Sequence, residues 1–325
     1  MKITTKLGLP EIFLERLAKI VPENSFASIL QTFSKRKPTT FRTNTLKITT
    51  EKLEEELIKN TISFEKIPWY PDAFILKNST QKELTDTILY KDGLIYLQSL
   101  SSMIPPLVLD PKPDELILDI AASPGSKTTQ IAAMMNNTGT IVANDKSRIR
   151  QYKLEANLQT LGVTNTKTTY MPGQMIWKKY PEYFDKTLVD VPCTLEGRFY
   201  TQDSKTYQDW STGKIKELVQ IQRFLLRSAI SATKPGGTIV YSTCTLEPEE
   251  NEGIIDWILK REKGAVVLEE IILDTPDKTP AILSWNKKNF NPEITKTARI
   301  LPSEKMEAFY IAKLKKVAST VYFYA

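Results

Sequence analysis

The sequence predicts an α/β protein: a doubly wound, Rossmann-like parallel sheet with a small α+β domain on its amino-terminal side. Three observations carry the prediction. From residue 115 onward, short apolar runs alternate with stretches of helical periodicity, as βαβ units do. Several of those runs stop abruptly at polar residues, as a buried parallel strand does at the carboxyl edge of its sheet. At 325 residues the chain has room for a second domain beside one with a full-sized core.

Pro10 opens a first helix in which Ile12, Phe13, Leu17 and Ile20 recur near helical spacing, and a second short helix follows by residue 33. Thr39–Asn44 reads as a strand. Thr50 caps a helix from Glu51 to about Asn60, with Leu53, Leu57 and Ile58 on one face. Ser63–Ile67 and Ala73–Leu76 read as short strands. The polar stretch 77–92 reads as a linker, and Ser99–Leu109 as a helix interrupted by Pro105-Pro106. The expected division is 1–92 for the amino-terminal domain, 93–316 for the main domain and 317–325 for a tail. In the main domain, strands are expected at Leu116–Ala121, Thr140–Asn144, Thr166–Tyr170, Lys186–Val191 and Gly237–Ser242. Helices are expected from about Lys127, around Ile149–Leu161, over Lys214–Ala232, and from Pro248 to about Arg261. After a mixed segment, Phe309–Leu314 reads as the last strand.

Composition narrows the function. A net charge of +6 and a pI of about 9.0 favour an anionic partner such as nucleic acid. Two cysteines make neither a disulfide framework nor a four-thiolate zinc site, and a reducing, cytoplasmic setting fits them. The absence of histidine removes Ser-His-Asp and Cys-His catalysis. Met1 to Lys6 is not followed by the apolar core of a signal peptide, and no run approaches the roughly 18 apolar residues of a membrane span. A monomer with no membrane partner is expected.

Chemistry concentrates at four strand ends. Leu118-Asp119-Ile120-Ala121-Ala122-Ser123-Pro124-Gly125-Ser126-Lys127-Thr128 reads as a strand, a tight turn of small residues and a helix start. Small residues allow close backbone approach, and the free N–H groups of the helix start suit anionic groups. The stretch is neither G-x-G-x-x-G nor a P-loop. Asp145 ends the next strand, where a carboxylate suits the two hydroxyls of a ribose. Together they indicate a nucleoside-containing cofactor, and S-adenosylmethionine fits better than a nicotinamide dinucleotide, which would want more glycines. Both thiols follow strands: Cys193 in Asp190-Val191-Pro192-Cys193 and Cys244 in Tyr241-Ser242-Thr243-Cys244. A lone cysteine is commonly a small buried apolar residue; two at strand ends with an aspartate point to nucleophilic chemistry.

These residues resemble the Sun-type RNA cytosine-C5 methyltransferase family, above all its bacterial RsmF branch, over about residues 8–316. Five stretches carry the resemblance: Phe41 to Lys47 (R-x-N-T-L-K), Gln98 to Ser102 (Q-x-x-S-S), residues 118–128 (D-x-x-A-x-P-G-x-K-T), Asp190 to Gly197 (D-x-P-C-S-G-E-G), and Tyr241 to Glu252 (Y-S-T-C-S-x-x-x-E-E-N-E). The resemblance implies a class I S-adenosylmethionine-dependent methyltransferase sheet with a small RNA-binding domain, acting on RNA, with rRNA slightly favoured over tRNA. It implies Cys244 as nucleophile, Cys193 as the group that assists product release, and Asp190 as the base-binding residue. Ala121, Ala122, Ser123, Pro124, Gly125, Ser126, Lys127, Asp145 and Asp190 are the expected cofactor contacts. Pro172 stands where the family usually has an aspartate on the adenine side, and proline supplies neither carboxylate nor N–H. Ala121, Ser126 and Met306-Glu307-Ala308-Phe309 are milder departures, and too few residues follow 316 for the RsmF-type trailing domains. An RNA-binding assembly factor without catalysis, or a methyltransferase for DNA or a small molecule, are the alternatives.

The chemistry is covalent. Cytosine C5 is a poor nucleophile until a thiolate adds to C6. Asp190 would then bind the ring at N3, partly protonated, and the helix expected from Pro248 would lower the pKa of Cys244. The target base must leave its stack. Arg42 and Lys47 are read as phosphate contacts or as solvated or structural residues, Asn44 as a turn residue, Arg150 as a surface or salt-bridge residue before a cofactor contact, and Gln98 and Ser102 as structural or substrate-positioning. Trp210 reads as core before stacking platform, Lys127 as orienting Asp190 or the base or else solvating the helix end, and Lys313, Lys315 and Lys316 as a solvated basic face.

Overall fold

The structure, a computed structural model, describes residues 8–321 apart from 273 and 276; Met1 to Lys6 and the last four residues of the tail lie outside the described residues. In chain order its elements are α1 (Glu11–Ile20), α2 (Phe26–Thr32), β1 (Thr40–Thr43), α3 (Thr50–Lys59), β2 (Ser63–Lys66), β3 (Ala73–Lys77), α4 (Gln81–Asp86), α5 (Ile88–Lys91), β4 (Ile95–Leu97) and α6 (Leu100–Leu109). The main domain continues with β5 (Leu116–Asp119), α7 (Ser126–Met134), β6 (Thr140–Asn144), α8 (Arg148–Thr160), β7 (Thr166–Thr169), α9 (Ile176–Lys179), β8 (Phe184–Asp190), α10 (Thr212–Ala232) and β9 (Thr233–Thr243). Last come α11 (Glu252–Glu262), β10 (Val266–Glu269), β11 (Lys278–Thr279), the small hairpin β12 (Ser284–Trp285) and β13 (Lys288–Asn289), β14 (Ala298–Ile300) and β15 (Phe309–Lys316).

The expected doubly wound sheet is present. β7, β6, β5, β8 and β9 pair side by side in parallel. Beyond β9 the sheet turns antiparallel: β15 pairs with β9, and β14 and β10 pair with β15. β15 begins at the carboxyl edge, where Tyr310 stands opposite Thr243, and runs back along β9. A strand entering from that edge needs no crossover helix and must run antiparallel. This order also delivers Phe309 to the functional edge.

The amino-terminal sheet, β2-β3-β1-β4, is antiparallel. Leu53 and Leu57 of α3 lie over Phe41 and Phe74, whose rings stack at 5.4 Å. Ile58 is 69% exposed, against expectation, because it sits about 100° around the helix from Leu57. The cap of α3 is Thr49, whose hydroxyl accepts from Lys52 N, rather than Thr50. Residues 77–92 are not a linker. Thr80 and Glu83 form a capping box on α4, Thr87 caps α5, and Leu84 and Leu89 enter the amino-terminal core. Because β4 pairs with β1, we propose that the domain division follows Leu97 rather than residue 92.

α1 and α2 pack on the main domain, with the Phe13 ring 5.0 Å from Phe199 and 5.6 Å from Trp210. α6 runs through Pro105 and Pro106 unbroken. Each proline removes one N–H from the helix, and the Ser102 carbonyl, which faces Pro106, accepts instead from Gln98 Nε2 at 3.0 Å. Arg42 is buried, and its guanidinium donates to Gln98 Oε1 (2.9 Å) and Thr129 Oγ1 (2.8 Å), tying the two domains. Asn44 fixes the same junction through the carbonyls of Gly93 and Leu161, and Lys47 through those of Asp92 and Thr160. Lys316 is likewise no surface cation. It is fully buried, and its ammonium donates to the carbonyls of Ile230 and Thr233 and to Glu182, closing the carboxyl end of α10.

Candidate active site

Strand order fixes the layout. Across the carboxyl edge, β6, β5, β8 and β9 end in turn at Asn144-Asp145, Asp119, Asp190 and Ser242-Thr243-Cys244. At a strand spacing of about 4.8 Å this row is roughly 14 Å long. One cavity of about 410 Å³ follows the row.

The turn after β5 builds one wall. Of the residues read as cofactor contacts, Ala121, Ala122, Ser123, Pro124, Ser126, Lys127, Asp145 and Asp190 line the cavity. Gly125 does not; it makes the turn, at φ +106°, and a Cβ there would lie 2.8 Å from Leu154 Cδ1. Asp145 is buried, accepts from Ser147 N at 2.8 Å, and meets Arg150 at 3.4 Å. Arg150 also donates to the Ser123 carbonyl (2.6 Å), so it braces the loop as a salt-bridge residue.

Asp119 was given no role by sequence reasoning, yet it is the most exposed to consequence. It is buried; Oδ2 accepts from Thr128 Oγ1 at 2.7 Å, and among the described residues Oδ1 has no hydrogen-bond partner within normal geometry. Burial, outweighing the Thr128 hydrogen bond, pushes its pKa up to about 6. An orphaned buried carboxylate on the cavity wall fits an incoming ammonium group, and Asp145 fits vicinal hydroxyls. Pro172 does not line the cavity, but Gln174 does, with Ile221 and Leu225 as an apolar wall. Gln174 carries an amide able to hydrogen-bond a purine edge, where the expected aspartate is missing. The residues present therefore fit S-adenosylmethionine from nucleoside to amino-acid end.

The thiols stand at the other end. Cys193 Sγ and Cys244 Sγ are 3.3 Å apart, both buried and both free. Burial, and then the Cys244 thiol beside it, push the Cys193 thiol well above its ordinary pKa. Asp190 accepts from Lys127 Nζ at 2.7 Å and from Ser242 Oγ at 2.8 Å. The Lys127 ammonium also lies 5.7 Å from the centre of the Phe309 ring. Lys127 reaches Asp190 from the first turn of α7. Gly197 lets the two thiol loops meet, since a Cβ there would lie 2.5 Å from the Ala308 carbonyl oxygen and 2.9 Å from that of Cys244.

Arg198 lines the thiol end and was not foreseen. Its guanidinium is half exposed and lies 3.5 Å from Glu307 Oε2. The expected helix field on Cys244 is corrected: residues 248–251 form a turn, α11 starts at Glu252, and helix-terminus fields fade within one turn. Trp210 is core, donating to Glu196.

Residues 106–315 match the family described as 16S rRNA methyltransferase RsmB/F, and residues 9–100 match the N-terminal domain of 16S rRNA methyltransferase RsmF. The chain is 39% identical to a tRNA (cytosine(49)-C(5))-methyltransferase of Pyrococcus abyssi, over 93% of this chain and 95% of that one. It is 36% identical to ribosomal RNA small subunit methyltransferase F of Shewanella loihica, over 96% of this chain but 63% of the relative's length. Among solved structures, a methyltransferase homolog from Pyrococcus horikoshii superposes with a TM-score of 0.83 at 35% identity, each chain covered to 96%. NSun6 from Pyrococcus horikoshii, determined with SFG, gives 0.80 at 25% identity, with 95% of this chain and 98% of that one covered.

Proposed function

The chain belongs to the 16S rRNA methyltransferase RsmB/F family, and from that premise we propose that it methylates C5 of a cytosine in RNA through a covalent Cys244–C6 adduct. The single observation that carries the mechanism is the pair of free thiols 3.3 Å apart beside the Lys127–Asp190–Ser242 triad. S-adenosylmethionine supplies a methyl group on a positively charged sulfur. Cys244 adds as a thiolate to C6 of the flipped base. Lys127 and Asp190 bind the ring edge and hold the proton that balances charge on N3 and O2 as C5 becomes nucleophilic. Cys193, kept protonated in the free enzyme by burial, is the poorer nucleophile of the two; once it has given up its proton in the adduct, its thiolate takes the C5 proton, the C5–H electrons re-form the C5–C6 double bond, and Cys244 leaves C6 as a thiolate.

rRNA is the first reading of the substrate, on the two RsmB/F and RsmF matches. tRNA is the second, favoured by the nearly co-extensive match to a tRNA methyltransferase. Labelling total RNA with tritiated S-adenosylmethionine and separating 16S rRNA from tRNA decides between them. Label as 5-methylcytosine in neither fraction, from folded protein that binds the cofactor, sinks the methyltransferase reading and favours an assembly factor.

Asp119 makes the cofactor prediction pH-dependent. Its folded pKa of about 6 lies above the ordinary carboxylate value, so in the free protein its contribution to stability is present at acid pH and lost as pH rises through 6. An ammonium partner needs the ionised form. S-adenosylmethionine affinity should therefore rise with pH up to about 7, and Asp119→Asn should weaken it about 10-fold or more and flatten that rise. Isothermal titration between pH 5 and 8 reads both.

A further inference from the structure

Between the two thiol loops lies a dry group of carboxyls that the proposed reaction does not use. Glu196 follows Cys193 by three positions and Glu250 follows Cys244 by six, and both side chains are fully buried. Four oxygens join them in a line. A Glu250 carboxyl oxygen contacts Thr194 Oγ1, Thr194 Oγ1 lies 3.0 Å from Thr245 Oγ1, and Thr245 Oγ1 contacts a Glu196 carboxyl oxygen. The outer oxygen of Glu196 accepts from Trp210 Nε1; that of Glu250 accepts from Gln222 Nε2 at 2.6 Å and Thr194 N at 3.3 Å. Among the described residues no lysine or arginine is ion-paired to either carboxyl, whereas Glu247 has Arg16 and Glu252 has Arg299.

Counting hydrogens decides the protonation. Three oxygen–oxygen hydrogen bonds in line need three hydrogens, and the two threonine hydroxyls carry two. With both glutamates ionised, each hydroxyl would turn to its own carboxylate, leaving two threonine oxygens face to face at 3.0 Å with lone pairs only. Two buried carboxylates would also lack any cation, which buried charges do not tolerate.

We propose that Glu196 and Glu250 hold one proton between them along Thr194 and Thr245, and that this one-proton tie is a positioning element locking the two thiol loops together. Thr194 is the neighbour of Cys193 and Thr245 the neighbour of Cys244, so the line fixes the backbone of both. Either glutamate can be the acid, because reversing both hydroxyls moves the charge from one end to the other. Burial raises both carboxyls, Glu250 well above its ordinary value. The other titratable groups around the tie are the two thiols, the Glu247–Arg16 pair reaching in from α1, the Glu252–Arg299 pair, and Tyr241 of β9, whose hydroxyl donates to the Glu250 carbonyl. α10 presents only the neutral Gln222. Glu250 and Glu196 also raise the Cys193 pKa, so a second charge on the tie would oppose any thiolate nearby.

Infrared difference spectra of the free full-length protein at neutral pH test the tie directly, whatever the substrate proves to be; its catalytic consequence rests on the two-thiol reading. Glu250→Gln supplies a hydrogen from its amide, so the line stays intact and Glu196 becomes the carboxylate. Glu196→Gln does the same with Glu250. Each single variant should fold and should lose the same protonated-carboxyl C=O band. The double variant, with a donor at each end and one hydrogen too many, should melt lower than the two single effects add up to. Loss of a carboxylate band in either single variant, with the acid band unchanged, overturns the proposal. So does an acid band that Glu250→Gln removes and Glu196→Gln leaves, which would mean one isolated acid. Thr194→Val, which cuts the line, should lower kcat for RNA methylation while KM stays near wild type; an unchanged kcat would confine the tie to stability.

Discussion

Cys244→Ala should abolish methyl transfer, with a loss of at least about 10³-fold, because the remaining thiol, Cys193, is held protonated by burial and is the poorer nucleophile. Cys193→Ala should behave differently. The adduct should form, the methyl group should move, and the protein should stay on the RNA in a denaturing gel. The thiols differ in surroundings although their sulfurs are 3.3 Å apart. Burial and the neighbouring thiol hold Cys193 protonated, which makes it the poorer nucleophile of the pair. A trapped complex with Cys244→Ala instead of Cys193→Ala would reverse the two roles. Labelling at wild-type rate by Cys244→Ala would remove the covalent mechanism altogether.

The thiol loops were legible in the sequence because their residues sit where apolar strands end, and strand ends can be read locally. Asp190, Cys193, Asp145 and the 121–127 turn fall at the edge the alternation predicts. What was not legible depends on contacts far apart in the chain. Lys316 reads as one more lysine in a basic tail until β15 sets it under the end of α10. Arg198 carries no signal of its own in the sequence; only the fold brings it to the thiol end of the cavity, beside Glu307. Pro105 and Pro106 signal a break, and only the side chain of Gln98 shows why the helix survives. The antiparallel edge was hidden for a similar reason: its strands are two to eight residues long and are set by where the chain re-enters the sheet.

Arg299→Met should cost about 3–5 kcal/mol of folding stability, measured by denaturant unfolding. Arg299 is buried on β14 and grips Glu252 at the start of α11 through two hydrogen bonds of 2.5 and 2.6 Å. Its third contact is the carbonyl of Leu246, at 2.8 Å, two residues past Cys244. Removing the guanidinium leaves a fully buried carboxylate without a cation and a carbonyl without a donor, and the first is the larger penalty. The double change Arg299→Met with Glu252→Gln should recover most of the loss, because the unpaired charge is gone. A single variant as stable as wild type would mean that water reaches Glu252, which its burial contradicts. The same carbonyl links stability to chemistry. With Leu246 released, the Cys244 loop loses an anchor, so alkylation of Cys244 should speed up in Arg299→Met. S-adenosylmethionine affinity should change little, because Asp145 and Asp119 lie on β6 and β5, away from β14.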